Sequence, residues 1–125
     1  MLLRRTPFLV LLLVPFMGAL AQDTRTTNKP VAIKVVEFGR VSDKKVRQAV
    51  ELYWKEQTRL QLAGYIMTYG SDKDVERREK KISEAGFELS RHFGLPATIF
   101  VRGGRERDLK TVMWLIPEGA ERPSP

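Results

Sequence analysis

The chain of 125 residues contains no cysteine. That excludes disulfide staples, thiolate metal sites, cysteine nucleophiles and the lipid-attachment cysteine that follows some export signals. Histidine is almost as scarce, with His92 the single one. A histidine-rich metal site is therefore excluded too. His92 has no partner motif beside it and reads as a helix-end surface residue rather than a general base. No apolar run approaches the ~20 residues that a membrane-spanning helix needs. No internal repeat and no sustained heptad is present.

The strongest apolar run is FLVLLLV at 8–14. Arg4 and Arg5 precede it, and Ala19-Leu20-Ala21 follows with small-x-small spacing. Together these read as a secretory signal peptide over 1–21, cleaved to leave Gln22 at the mature N-terminus. The expected location is the periplasm or the exterior, with membrane attachment only through an uncleaved signal. Lys and Arg number 22 against 15 Asp and Glu, a formal net charge of +7. The signs are interleaved, as in Glu76-Arg77-Arg78-Glu79. Such a surface keeps a small domain soluble and does not by itself favour a nucleic-acid partner.

Residues 22–29 are polar and aperiodic, and are expected to be a flexible lead-in. A single domain is expected over 30–117, with 118–125 a frayed tail. The run 31–38 is rich in β-branched residues and reads as a strand. Ser42 suits a helix N-cap, and Val46, Ala49, Val50, Tyr53 and Trp54 fall at helical spacing, which predicts a helix from 43 to about 58. The run 60–69 reads as a central strand, with Gly64 marking a bulge or a close backbone approach. Gly70-Ser71-Asp72 is turn and cap chemistry. A second helix is expected over 73–93, with Ile82, Ala85, Gly86, Leu89 and Phe93 as its apolar stripe and its charged first turns in solvent. Gly94 suits a left-handed cap that Leu95 closes, and Pro96 prevents continuation. Tyr53, Trp54, Phe87 and Trp114 are spaced as core residues. Strands are expected over 97–101 and 109–116, and the short link 102–108 favours an antiparallel hairpin between them. The order β-α-β-α-β-β predicts an α/β two-layer sandwich, two helices packed on one face of a four-stranded mixed sheet.

This layout, the export signal, and the tract Gly64-Tyr65-Ile66-Met67-Thr68-Tyr69-Gly70-Ser71-Asp72 ahead of a charged amphipathic helix resemble an OmpA-like domain. Val101-Arg102-Gly103-Gly104 and the segment from Leu109 to Ala120 resemble the end of a divergent branch of that family. The resemblance covers roughly 31–120. It implies a non-enzymatic envelope domain that binds or scaffolds, with peptidoglycan or another envelope protein as partner and no cofactor. In such domains an acidic residue after the second strand and an arginine on the second helix grip the zwitterionic diaminopimelate of the peptidoglycan stem. Asp72 matches the acidic position. Glu84 and Ala85 stand where the arginine belongs, Arg77 and Arg78 come earlier, and Lys81 is a point charge rather than a fork.

The candidate ligand-binding residues are therefore Asp72, Arg77, Arg78, Lys81, Arg102 and Arg105. Arg102 and Arg105 flank Gly103-Gly104, a glycine turn suited to an anion. Arg77-Arg78 with Lys80-Lys81 forms a basic cluster that suits a phosphate, an anionic glycan or a lipid headgroup. A basic module for anionic polymers or headgroups is the alternative function. A small carboxylate enzyme using Asp72 and Glu76, at i and i+4 on one helix face, is a further one. No catalytic constellation and no metal site is otherwise evident.

Overall fold

The structure, a computed structural model, describes residues 29–91, 95–105 and 107–125. The expected signal segment, the expected lead-in as far as 28, His92, Phe93 and the Gly94 cap lie outside the described residues. Among the described residues no helix is long and apolar enough to cross a membrane. The elements are β1 (Ile33–Phe38), α1 (Asp43–Leu60), β2 (Ala63–Tyr69), α2 (Asp72–Leu89), β3 (Thr98–Arg102) and β4 (Lys110–Ile116). The sheet order is β1-β4-β2-β3. The architecture is the expected two-layer α/β sandwich.

β4 runs antiparallel to both β1 and β2, while β2 and β3 are parallel. β1 and β2 thus point the same way with β4 inserted between them. The expected hairpin between the third and fourth strands does not form. The link after β3 instead carries the chain past β2. That step is two strand spacings, roughly 10 Å, which a seven-residue link spans easily. Burial explains the choice. Thr111, Val112, Met113 and Leu115 of β4 are all buried. A strand so apolar on both faces gains more between two neighbours than beside one.

Ser42 caps α1 by accepting from Lys45 N at 3.3 Å, as its position predicts. The helix runs past 58 to Leu60, and Gln61 ends it in the left-handed region at φ 55°. Leu60 therefore belongs to the last helical turn, and β2 begins three residues later than expected. Ser71 caps α2 by accepting from Asp74 N. This helix ends at Leu89 rather than 93, where Ser90 Oγ donates to Gly86 O at 2.8 Å.

One core cluster joins Val46, Val50 and Tyr53 of α1, Ile82 and Ala85 of α2, and Ile66, Met113 and Leu115 of the sheet. Both helices therefore pack on one face. The first turns of α2 are not solvated as expected: Val75 is 1% exposed and Arg78 5%. Both continue the three-to-four spacing backward from Ile82, so the periodicity overrides the charge of the segment. Phe87, expected in the core, is 48% exposed. Trp54 and Trp114 are half-buried.

Gly64 is a site of close approach. A Cβ there would collide with Tyr53 Oη, Thr98 Oγ1 and Gln57 Nε2. Tyr53 Oη donates to Trp114 O at 2.6 Å and accepts from Tyr65 N at 3.2 Å, tying α1 to the two central strands. Burial pushes the Tyr53 hydroxyl pKa up.

Candidate functional site

β1 and β2 are parallel strands each followed by a helix, so α1 and α2 run in the same direction. Their N-terminal ends lie outside the carboxyl ends of those strands, where α/β folds commonly place ligands. A cleft of about 150 Å³ opens there, lined by Arg40, Val41, Asp43, Val46, Asp74, Arg77, Arg78, Lys81 and Leu109. Four cations face two carboxylates in it. Both helix N-termini add positive potential.

Arg78 lies buried against the sheet. Its Nη1 donates to Thr111 Oγ1 at 2.8 Å and its Nη2 to Gly39 O at 2.8 Å. The guanidinium also lies over the Phe38 ring at 4.7 Å. Its bonded acceptors are neutral, and no described carboxylate pairs with it. Burial lowers its pKa, with Arg40 adding to that and Asp74 opposing it. A cation desolvated in this way, offset only in part by Asp74, adds to the excess of positive charge in the cleft.

The outer cations are loosely balanced. Arg40 Nη2 donates to Asp74 Oδ2 at 3.1 Å, and Arg77 approaches the same carboxylate at 3.6 Å. Lys81 pairs with Asp43 at 3.2 Å. The Arg40 hydrogen bond, before all other causes, holds the Asp74 carboxyl below the usual carboxylate range. Arg40 and Leu109 also line a neighbouring open groove of about 570 Å³ with Gly39, Arg107, Asp108 and Lys110.

The structure thus brings Arg77, Arg78 and Lys81 together in the cleft, and places Asp72, Arg102 and Arg105 outside it. Arg105 Nη2 and Nε donate to the two Asp72 carboxylate oxygens at 3.0 and 3.3 Å. Arg102 Nη2 donates to Glu79 at 3.2 Å. These pairs tie the end of β3 and the loop after it to α2, and none of their four residues lines the cleft. Asp72 is already forked by a guanidinium of this chain, and Glu84 lines an adjoining small groove that shares Asp43, Val46 and Lys81 with the cleft.

Sequence reasoning missed Arg40 and Asp74. Arg40 follows the end of β1 and Asp74 lies in the first turn of α2. The available signal was positional: residues at the carboxyl ends of two parallel strands converge. Among the described residues no group of three potential metal ligands comes together. In comparisons with known proteins, no family model, no curated protein and no solved structure matches the chain.

Proposed function

We propose that this chain is an exported, non-enzymatic binding domain of the cell envelope, and that it binds an anionic group in the cleft between the N-terminal ends of α1 and α2. The observation that carries the reading is Arg78, a buried guanidinium whose bonded acceptors are neutral, at a cleft that also holds Arg40, Arg77 and Lys81. An entering phosphate or carboxylate gains from this field without first breaking a pair to Arg78. Arg40 and Arg77 share one carboxylate, Asp74, so one of them can turn to the ligand while the other keeps the pair. The signal-like pattern over 1–21 supports export, and the OmpA-like layout supports an envelope role.

The stem-peptide grip of the resembled family has less support. Asp72 is occupied by Arg105, and the resemblance sets Glu84 where its partner arginine belongs. The carboxylate-enzyme alternative gains no support, because Asp72 is exposed and does not line the cleft.

Calorimetric titration with inorganic tripolyphosphate tests the reading. Binding should weaken as salt rises, because the contacts are ionic. The double variant Arg40→Ala/Arg77→Ala should lose it, while Arg102→Ala should keep it. Equal binding by the double variant and the parent, or none by the parent, rejects the cleft as the site.

A further inference from the structure

The sheet face opposite the helices is covered by the chain itself, and its cover has the chemistry of a ligand. This face carries a second apolar cluster of Tyr65, Met67, Tyr69 and Val112, with Val101, Trp114 and Ile116 packed against it. Neither helix contributes to it. Tyr65 is nonetheless only 6% exposed and Met67 1%.

At one end of the face the loop after β3 provides the cover. The Gly103 backbone lies so close to the Tyr69 ring that a Cβ would overlap it, and the Arg107 guanidinium sits 4.6 Å from that ring. At the other end the cover is the C-terminal tail. Ala120 N donates to Pro117 O at 3.0 Å, and Gly119 adopts φ 87° within this turn. A type II turn needs that positive φ at its third residue. Beyond the turn, Tyr65 Oη donates to Pro123 O at 3.1 Å. The Arg122 guanidinium stands 5.9 Å from the Tyr65 ring.

The tail ends Glu121-Arg122-Pro123-Ser124-Pro125. Alternate prolines favour the extended polyproline conformation, which has no internal hydrogen bonds and leaves its carbonyls free. An aromatic platform with a phenolic donor aimed at such a carbonyl is the chemistry by which proline-bearing peptides are recognised. Tyr65 supplies the ring and the donor, and Trp114 lies opposite it across the β2–β4 ladder. The anchors are one hydrogen bond and one cation–ring contact, and Glu121, Arg122, Ser124 and Pro125 remain exposed. Such a segment acts as a tethered ligand, its binding effectively intramolecular.

We propose that the helix-free face around Tyr65 is a recognition surface for an extended, proline-bearing peptide segment of a partner protein, and that residues 121–125 occupy it as a competing internal ligand. The surface is independent of the anion cleft, which lies on the helix side. Its partner is defined by chemistry: a proline whose carbonyl meets Tyr65 Oη, preceded by a side chain that lies over the Tyr65 ring.

The probe is a synthetic peptide of residues 119–125, Gly-Ala-Glu-Arg-Pro-Ser-Pro, with a counterpart in which alanine replaces both prolines. It is titrated against three proteins: the full chain, a chain ending at Ala120, and a full-length Arg122→Glu/Pro123→Gly variant. Aromatic-ring NMR signals report the contact, and thermal melting confirms that each protein is folded. The shortened chain should bind the peptide roughly tenfold more tightly than the full chain, because a tethered competitor is gone. The substituted variant loses the Arg122 ring contact and the proline bias but keeps the residue 123 carbonyl, so it should bind the peptide more tightly than the full chain by a smaller factor. Shifts should centre on Tyr65 and Trp114. Adding Tyr65→Phe to the full-length variant should weaken binding roughly threefold, the loss of one hydrogen bond. The substituted full-length variant decides the matter if the shortened chain does not fold. Equal affinity for released and full chains, equal binding of the proline-free peptide, or no shift at millimolar peptide overturns the proposal.

Discussion

Arg78 on α2 donates to Thr111 on β4, and Thr111 Oγ1 lies 3.0 Å from Thr68 Oγ1 on β2. A cation on a helix is thereby joined to the two central strands through a pair of buried hydroxyls. The arrangement depends on β4 lying between β1 and β2, since only there does Thr111 face both Thr68 and the helix. The cleft and the strand order are one structural fact.

Arg78→Ala should cost about 1–3 kcal/mol, because it takes a donor from the Gly39 carbonyl and from the Thr111 hydroxyl, which keeps only Thr68 as partner. Arg78→Met keeps the volume, and should cost less than Arg78→Ala, since replacing a buried charge by an apolar group of similar size is often close to neutral. Urea unfolding of both variants checks the order. Methionine equal to or worse than alanine would show that the charge itself stabilises the fold.

Much of the layout was legible from residue chemistry. Ser42 and Ser71 announce their helices because a hydroxyl there meets a free N–H, a local requirement. Gly64 marked either a bulge or a close approach, and the crowding by Tyr53, Thr98 and Gln57 selects the second. The pairing of β4 was not legible, since it depends on which strands compete for the centre of the sheet. Arg78 was hidden differently. The run from Asp72 to Lys81 looks solvated by composition, but Val75, Arg78 and Ile82 keep one helical face. Periodicity outranked charge, and the buried residue at the cleft was read as a surface one. Asp72 and Arg105 were both singled out, yet nothing in their separation of 33 residues indicates that they neutralise each other.

Ile82→Ala should cost about 2–5 kcal/mol, because Ile82 is fully buried in the main core. Leu89→Ala should cost clearly less, since Leu89 only packs against the edge of that cluster. Thermal or urea unfolding of the two variants tests the ranking, and equal losses would show that the end of α2 is more firmly seated than its burial indicates.

Gly64→Ala should destabilise by about 1–3 kcal/mol through overpacking. The new methyl meets the Tyr53 hydroxyl, Thr98 and Gln57, and displaces the hydroxyl that joins Trp114 O to Tyr65 N. In the Tyr53→Phe background the same substitution should cost less, because its main obstacle is gone. A double-mutant cycle measures this coupling, and strict additivity would contradict the contact.

The acid limb of stability should report Asp74. Its folded pKa lies below the ordinary value, chiefly through the Arg40 hydrogen bond. Stability from this pair is therefore present above the unfolded value of about 4 and lost as pH falls below it. Glu37 and Glu56 shift the same way through Lys34 and Arg59, so Asp74→Asn should flatten the acid limb only in part. Melting temperatures between pH ~2 and ~5 measure it. An unchanged slope in Asp74→Asn would mean that solvent already screens the pair.

The last expectation separates the anion cleft from the stem-peptide grip. A diaminopimelate ligand needs a free carboxylate for its ammonium and a free guanidinium for its carboxylate. Asp72 meets Arg105 in a bidentate pair, and Glu84 adds a repelling charge where the resembled family has its fork. The parent protein should therefore bind a diaminopimelate-containing fragment weakly or not at all. Arg105→Ala frees Asp72 but restores no guanidinium, so it should not create binding either. Tripolyphosphate binding in the cleft should survive both Asp72→Ala and Arg105→Ala, because neither residue lines it. Titration calorimetry with the two ligands compares them directly. Micromolar binding of the fragment that disappears in Asp72→Ala would overturn this reading and restore the stem-peptide grip. Loss of tripolyphosphate binding in Asp72→Ala would move the anion site from the α1–α2 cleft to the loop after β3.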